Sequence, residues 1–203
     1  AEARGVIELG LLRHGTTEWN LAHRLQGRAD TLLSEAGRRA LQGRRLPAAF
    51  RAAPVYCSPL KRARETAALL GKSTPVIEPA LIEMDWCHFE GCTIDELRQR
   101  LGPAMLEGEN RGLDFRPPGG ESPREVCGRL AAWLVTLARS QDAGRIVAIT
   151  HKGIIRCLLS LAYDWDMLGR QPVKLDWAAL HVMLLDPAGK LHPGPVNQPL
   201  DQS

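Results

Sequence analysis

Short apolar strands alternating with amphipathic helices predict an α/β fold, a three-layer α/β/α sandwich around a mostly parallel central sheet. Two runs carry most of this expectation. Val6-Ile7-Glu8-Leu9-Gly10-Leu11-Leu12 is a short apolar segment ending at charge. Arg145-Ile146-Val147-Ala148-Ile149-Thr150 is short, apolar and β-branched, as a strand buried on both faces should be. Length supplies a third observation: 203 residues, 44% of them hydrophobic, suffice for one sizeable core, so a single domain over 1-203 is the default.

The elements follow in order. After the first strand, Ser34 to Phe50 reads as a helix with Ala36, Ala40, Leu41 and Leu46 as its apolar stripe. Pro54-Val55-Tyr56-Cys57 is a short strand. The next helix has Ser58 as N-cap candidate, Pro59 at its first position and Gly71 beyond its last turn. Val76-Ile77 is a weak strand. Thr93-Ile94-Asp95-Glu96 has the spacing of a capping box and opens a helix; Ser122-Pro123-Arg124-Glu125 repeats it ahead of a long helix through Leu137. The strand over 145–150 leads into a helix from His151 to Tyr163. His181 to Leu185 is a last strand ended by Asp186-Pro187, and the tail, rich in Pro and Gly, is expected to be irregular.

Composition narrows the function classes. A net charge of +3 suits an anionic substrate and is too weak to indicate nucleic acid, because the arginines are spread along the chain. The five cysteines are odd in number, irregular in spacing and contain no Cys-x-x-Cys pair, which argues against a zinc or redox motif. Free thiols in a reducing, cytoplasmic setting are expected. Ala1 to Gly5 has no apolar core, so no signal peptide is expected, and no run is long enough to span a bilayer. The oligomeric state stays open.

In open α/β sheets, ligands sit beyond the carboxyl ends of the strands. Three polar clusters fall there: Arg13-His14, Ser58 to Arg62, and Thr150-His151. Arg13 beside His14 disfavours the imidazolium, and Gly15 permits a tight turn. A neutral ring nitrogen among cations is what a phosphoryl acceptor requires, although a strand-end His beside a surface Arg is an equal alternative for the tripeptide alone. Arg62, in the first turn of its helix, combines a planar donor fork with the helix N-terminus; the plain alternative is a solvated Arg beside Lys61 and Arg64. His151 can hydrogen-bond a phosphoryl oxygen, best when protonated; a helix-capping or core-edge His is the commoner case for a lone His. Glu83, in Leu81-Ile82-Glu83-Met84-Asp85-Trp86, has apolar neighbours that raise a carboxyl pKa, as an acid for an alkoxide leaving group needs. Asp85 and Glu90 compete with it.

Leu12-Arg13-His14-Gly15-Thr16-Thr17-Glu18-Trp19-Asn20 resembles the signature of the histidine phosphatase superfamily, which includes the cofactor-dependent phosphoglycerate mutases. The resemblance runs over nearly the whole chain. It continues through Leu25 to Asp30, Leu33 to Gly37, Cys57 to Ala67, Glu83 with Phe89-Glu90-Gly91, Pro118 to Ser122 and Thr150 to Gly153, in the family's order. It implies a phosphoglycerate mutase-like sandwich in which His14 becomes phosphohistidine. Arg13, Arg62 and His151 then bind the transferring oxygens, and Glu83 protonates the leaving oxygen and afterwards activates water. It also implies that Thr17, Asn20 and Gly27 line the phosphate pocket, and that no cofactor and no metal take part. Cys87 stands where the family usually has Gly, Phe89 where it often has Trp, and Lys152 where a small residue is frequent. Lys152 is either a solvated helix-start lysine or a contact for a second anionic group on the substrate.

The favoured reading is a phosphomonoester hydrolase acting on a small phosphorylated metabolite. A phosphoglycerate mutase is the alternative. Such mutases carry an extra segment between the acid block and the second His that excludes water, and here that interval is compact. A non-catalytic phospho-ligand binding module and a metallohydrolase using His14 and His151 are further alternatives; Arg13 and Arg62 speak against a divalent ion in the same pocket. Residues 93-140 are expected to supply helical cap elements over the site, with Arg98, Arg100 and Arg111 facing mostly solvent.

Overall fold

A computed structural model of the chain describes residues 5–140 and 144–202. Residues 1–4, on which the absence of a signal peptide was argued, lie outside it. Strand β1 (Ile7–Arg13) is followed by α1 (Glu18–Leu21), α2 (Glu35–Leu41), β2 (Arg44–Arg45), β3 (Val55–Cys57), α3 (Lys61–Leu69) and β4 (Val76–Ile77). Helices α4 (Ile94–Leu101), α5 (Pro103–Glu109) and α6 (Pro123–Ser140) come next. Then follow β5 (Gly144–Thr150), α7 (Lys152–Tyr163), β6 (His181–Leu185), β7 (Leu191–Pro193) and β8 (Asp201–Gln202).

The central sheet has the order β4-β3-β5-β1-β6-β7. Strands β4, β3, β5 and β1 run parallel; β6 is antiparallel to β1 and β7 to β6. The predicted α/β fold is the observed one. β5 shows why it needs two helical layers. Ile146 and Ala148 face a core shared with α6 and α7, whereas Val147 and Ile149 face another shared with α3. A strand buried on both faces must be apolar at consecutive positions.

Both capping boxes form as expected. Thr93 Oγ1 accepts the Glu96 N–H while Glu96 accepts that of Thr93, and Ser122 and Glu125 do the same for α6. Four expectations are corrected. The helix proposed over 34–50 stops at Leu41, because Gly43 turns the chain at φ +71° and Pro47 follows; Arg44-Arg45 then pairs with Asp201-Gln202. The buried side of α2 is Gly37 rather than Ala36 and Ala40, which are exposed. The tail is not wholly irregular, since β7 and β8 both take sheet partners there. Finally, α3 begins at Lys61, with Leu60 rather than Ser58 as N-cap, because the chain is still extended at Leu60 (ψ 142°), whose N–H is taken by Ser58 Oγ.

The five cysteines are free. Among the described residues, no helix is long and apolar enough to cross a membrane.

Candidate active site

Strand register gathers the site. Arg13 lies opposite Thr150, and Cys57 opposite Ile149, so β1, β3 and β5 end together. The His14 N–H donates to the Thr150 carbonyl (2.9 Å) and the Ser58 N–H to that of Ile149 (3.0 Å). The three polar clusters that are far apart in sequence therefore meet at one sheet edge.

His14 is buried, and its Nδ1–H donates to the Gly15 carbonyl at 2.7 Å. A carbonyl can only accept, so the ring proton is fixed on Nδ1 and Nε2 keeps its lone pair. Burial, then Arg62 and Arg13, hold the His14 pKa well below the usual histidine range. Gly15 is not at positive φ; what restricts the position is space, since a side chain there would meet Leu41 Cδ1 at 2.7 Å. Its N–H donates to Thr66 Oγ1, which ties this loop to α3.

Arg62 is almost completely buried. Its two terminal nitrogens donate to the carbonyls of Ala29 and Gly27, both at 2.7 Å, and Nε has no partner. Gly27 has φ +53°, and a Cβ there would fall 2.2 Å from Glu90 Oε1. Only glycine allows its carbonyl to hold Arg62 in this way. His151 is the N-cap residue of α7, but its ring makes no capping bond. Nε2 lies 2.7 Å from Ser58 Oγ, and Nδ1 has no partner. The His151 and His14 ring centroids are 5.1 Å apart. Burial, then Arg62, His14 and Arg13, lower the His151 pKa well below its ordinary value, so the resting ring is neutral rather than protonated.

Glu83 is the buried carboxyl of the group. Its oxygens accept the N–H groups of Met84 (2.8 Å) and Gly153 (3.2 Å), and burial outweighs these bonds and the nearby arginines to raise its pKa. A Cβ on residue 153 would sit 2.3 Å from Glu83 Oε1. The competitors are elsewhere: Asp85 accepts the Cys87 N–H and pairs with Arg28, and Glu90 accepts the Arg28 N–H. Cys87 itself has φ +41°, the backbone region that favours the glycine of the family pattern.

A cavity of about 670 Å³ opens over these groups, with Arg13, His14, Arg62, Glu83 and Lys152 in its wall together with Asn20 and Gly27. Thr17 is the exception among the expected lining residues. It is fully buried behind the wall, where its hydroxyl donates to Gln26 and caps α1 with Asn20. Asn20 Oδ1 is taken by the Thr17 N–H, so its amide NH2 is the end that remains to donate. His151 is fully buried against His14. Of the cap arginines, Arg98 reaches the cavity but pairs with Glu109 at 2.8 Å; Arg111 pairs with Glu107, and Arg100 is exposed.

Sequence reasoning missed four contributors. Ser58 orients His151. Arg129 donates to the carbonyls of Ala80 and Ile82, and Glu121 bridges Arg129, Arg28 and the Asp85 N–H, so both fix the loop that carries Glu83. Arg156 lines the cavity one turn beyond Lys152. Ser58 and Glu121 fell within segments already singled out but without these roles, and Arg156 had a signal in its i+4 spacing from Lys152 on one helix face. No cluster of three His, Cys, Asp or Glu side chains suited to a metal ion occurs among the described residues.

The family model described as "Histidine phosphatase superfamily (branch 1)" matches residues 9–191. The chain belongs to the histidine phosphatase superfamily. Superfamily relatives with both chemistries are similar to it. A 2,3-bisphosphoglycerate-dependent phosphoglycerate mutase of Methylobacterium radiotolerans is 37% identical over 164 residues, 74% of this chain and 76% of that one. A metal-independent phosphoserine phosphatase of Arabidopsis thaliana is 32% identical over 160 residues, 75% of this chain and 67% of that one. Among solved structures, YhfR of Bacillus stearothermophilus aligns with a TM-score of 0.80 at 26% identity, over 95% of this chain and 97% of that one. A mycobacterial glucosyl-3-phosphoglycerate phosphatase in complex with VO3 aligns at 0.72 and 27%, over 97% and 100%.

Proposed function

We propose that this chain hydrolyses a small phosphomonoester through a phosphohistidine at His14. The observation that carries the reading is the His14 imidazole, held neutral by burial with Nδ1 bound to Gly15, beside two arginines whose Nε atoms have no partner. Nε2 attacks phosphorus as the ester P–O bond breaks. The developing charge is met by Arg13, Arg62, the Asn20 amide and His151 Nδ1. Protonated Glu83 gives its proton to the leaving oxygen and is left as a carboxylate. It then takes a proton from water, whose oxygen attacks phosphorus; the P–N bond breaks, inorganic phosphate leaves, and Glu83 is protonated again. No step calls for a metal, and activity should survive EDTA.

Hydrolysis is preferred over transfer because, among the described residues between Glu83 and β5, the interval holds only the short helices α4 and α5, two single-turn 3-10 helices and the helix α6, with no extra segment to shut water out. Phosphoglycerate mutase remains the second reading, favoured by the 37% identity to such an enzyme. A panel of phosphate monoesters and a mutase assay primed with bisphosphoglycerate separate the two. The reading expects phosphate release, inhibition by vanadate as a mimic of the five-coordinate phosphoryl group, and at least about a 1,000-fold loss in His14→Ala. Full activity in that variant sinks the mechanism. Phospho-ligand binding with no turnover in the parent would instead support a binding module.

A further inference from the structure

Arg156 is a cation that the reaction at His14 does not use. It stands on α7 one turn after Lys152, half-buried, and its buried Nε has no hydrogen-bond partner. Its guanidinium lies 5.4 Å over the Trp165 ring, and Lys152 Nζ lies 5.2 Å over that of Trp177. Neither cation has an ion-pair partner among the described residues. Arg98 in the same wall differs, since Glu109 at 2.8 Å and Asp95 at 3.7 Å neutralise it. Those two are also the carboxylates, apart from Glu83, that line the spaces in question. Burial lowers the pKa of Arg156, a cost that a bound anion would offset.

Position shows which part of a substrate would meet them. Arg156 borders the catalytic cavity, an apolar chamber of about 380 Å³ walled by Met84, Trp86, Met105 and Phe115, and a basic groove of about 550 Å³ that contains Arg170 and Lys174. Gly153, whose N–H holds the Glu83 carboxyl, lies between Lys152 and Arg156 in sequence and borders the first two of these spaces. The pair thus stands on the side of the acid, where the alcohol portion of an ester departs. Arg13 and Arg62 are committed to the transferring group.

We propose that Arg156, with Lys152, binds a second oxyanionic group on the alcohol portion of the substrate, so that the preferred substrates are phosphomonoesters of acidic alcohols. The inference rests on the phosphatase reading of His14 and names its substrate class. A planar guanidinium fork suits carboxylate or phosphate, and the ammonium adds a second, mobile donor.

Two matched pairs of esters test it. 3-Phosphoglycerate against glycerol 3-phosphate asks about a carboxylate; 1,3-propanediol bisphosphate against 3-hydroxypropyl phosphate asks about a phosphate. In the parent enzyme, KM should be at least about tenfold lower for the acidic member of one pair, and the pair that responds identifies the anion. Arg156→Gln should bring that ratio close to one, Arg156→Lys should restore most of it, and Lys152→Gln should reduce it. The same preference should appear in calorimetric binding to the His14→Ala protein, which reports on the pair without turnover. Loss of hydrolysis of every ester with the binding preference intact would defeat the phosphatase reading alone. Equal affinity for both members of both pairs, or a preference that survives Arg156→Gln, would overturn the proposal.

Discussion

His151 Nε2 and Ser58 Oγ are 2.7 Å apart, a contact between the end of β3 and the end of β5. Ser58 Oγ also accepts the Leu60 N–H at 3.3 Å. When the hydroxyl donates its own proton to Nε2, the neutral His151 ring carries its proton on Nδ1, the nitrogen without a partner, which can donate to a phosphoryl oxygen. One buried hydroxyl thus holds the ring of the second histidine.

Ser58→Ala should therefore lower kcat without unfolding the protein. Losing one buried hydrogen bond costs about 1–1.5 kcal/mol, roughly tenfold in rate if it is felt in the transition state. Steady-state kinetics alongside a melting curve checks this. A variant with parental kcat would show that the ring orients without Ser58.

The pH profile should be set by two shifted groups. His14 must be neutral to attack, and its pKa lies well below the usual range, so kcat/KM should persist into mildly acid solution. Glu83 must be protonated for the first step, and its pKa is raised, so activity should fall as pH rises through that value. Glu83→Gln should lose about 100-fold or more in kcat and the alkaline limb of the profile with it. If that limb is unchanged in Glu83→Gln, another group is the acid.

Stability should fall on acidification for a related reason. Both His14 and His151 have depressed pKa values when folded, while an unfolded histidine takes up its proton near pH 6.5. The unfolded chain binds more protons below that pH, so the stability present above it is lost as pH falls towards the folded values. The melting temperature between pH 7 and 5 should drop more steeply for the parent than for a His14→Asn/His151→Asn variant. Parallel curves would contradict the assignment.

Cys87→Gly should stabilise the protein. The residue is held at φ +41°, where an L side chain costs about 1–2 kcal/mol and glycine does not. Part of that gain is returned through the greater freedom of glycine in the unfolded chain. A net 0.5–1 kcal/mol, roughly a 1–4 °C rise in Tm, is the expected reading by calorimetry. A fall in Tm would mean that contacts of the thiol outweigh the backbone strain.

The sequence by itself determined the alternation of strands and helices, both capping boxes, and the polar residues beyond the strands at 13–14, 58–62 and 150–151. These are legible because hydrophobic period, cap spacing and turn residues are local properties of the chain. Gly43 and Pro47 were local signals for the early end of α2, but the pairing of Arg44 and Arg45 that follows it was not legible, because their partners Asp201 and Gln202 lie over 150 residues away. The tertiary structure alone decided that Thr17 stands behind the cavity wall, that Glu83 rather than Asp85 or Glu90 is the buried carboxyl, that Ser58 turns from helix cap to partner of His151, and that Arg156 keeps its charge unpaired. Burial and hydrogen-bond partnership depend on strand register and on residues distant in sequence, so they are settled only when the sheet assembles.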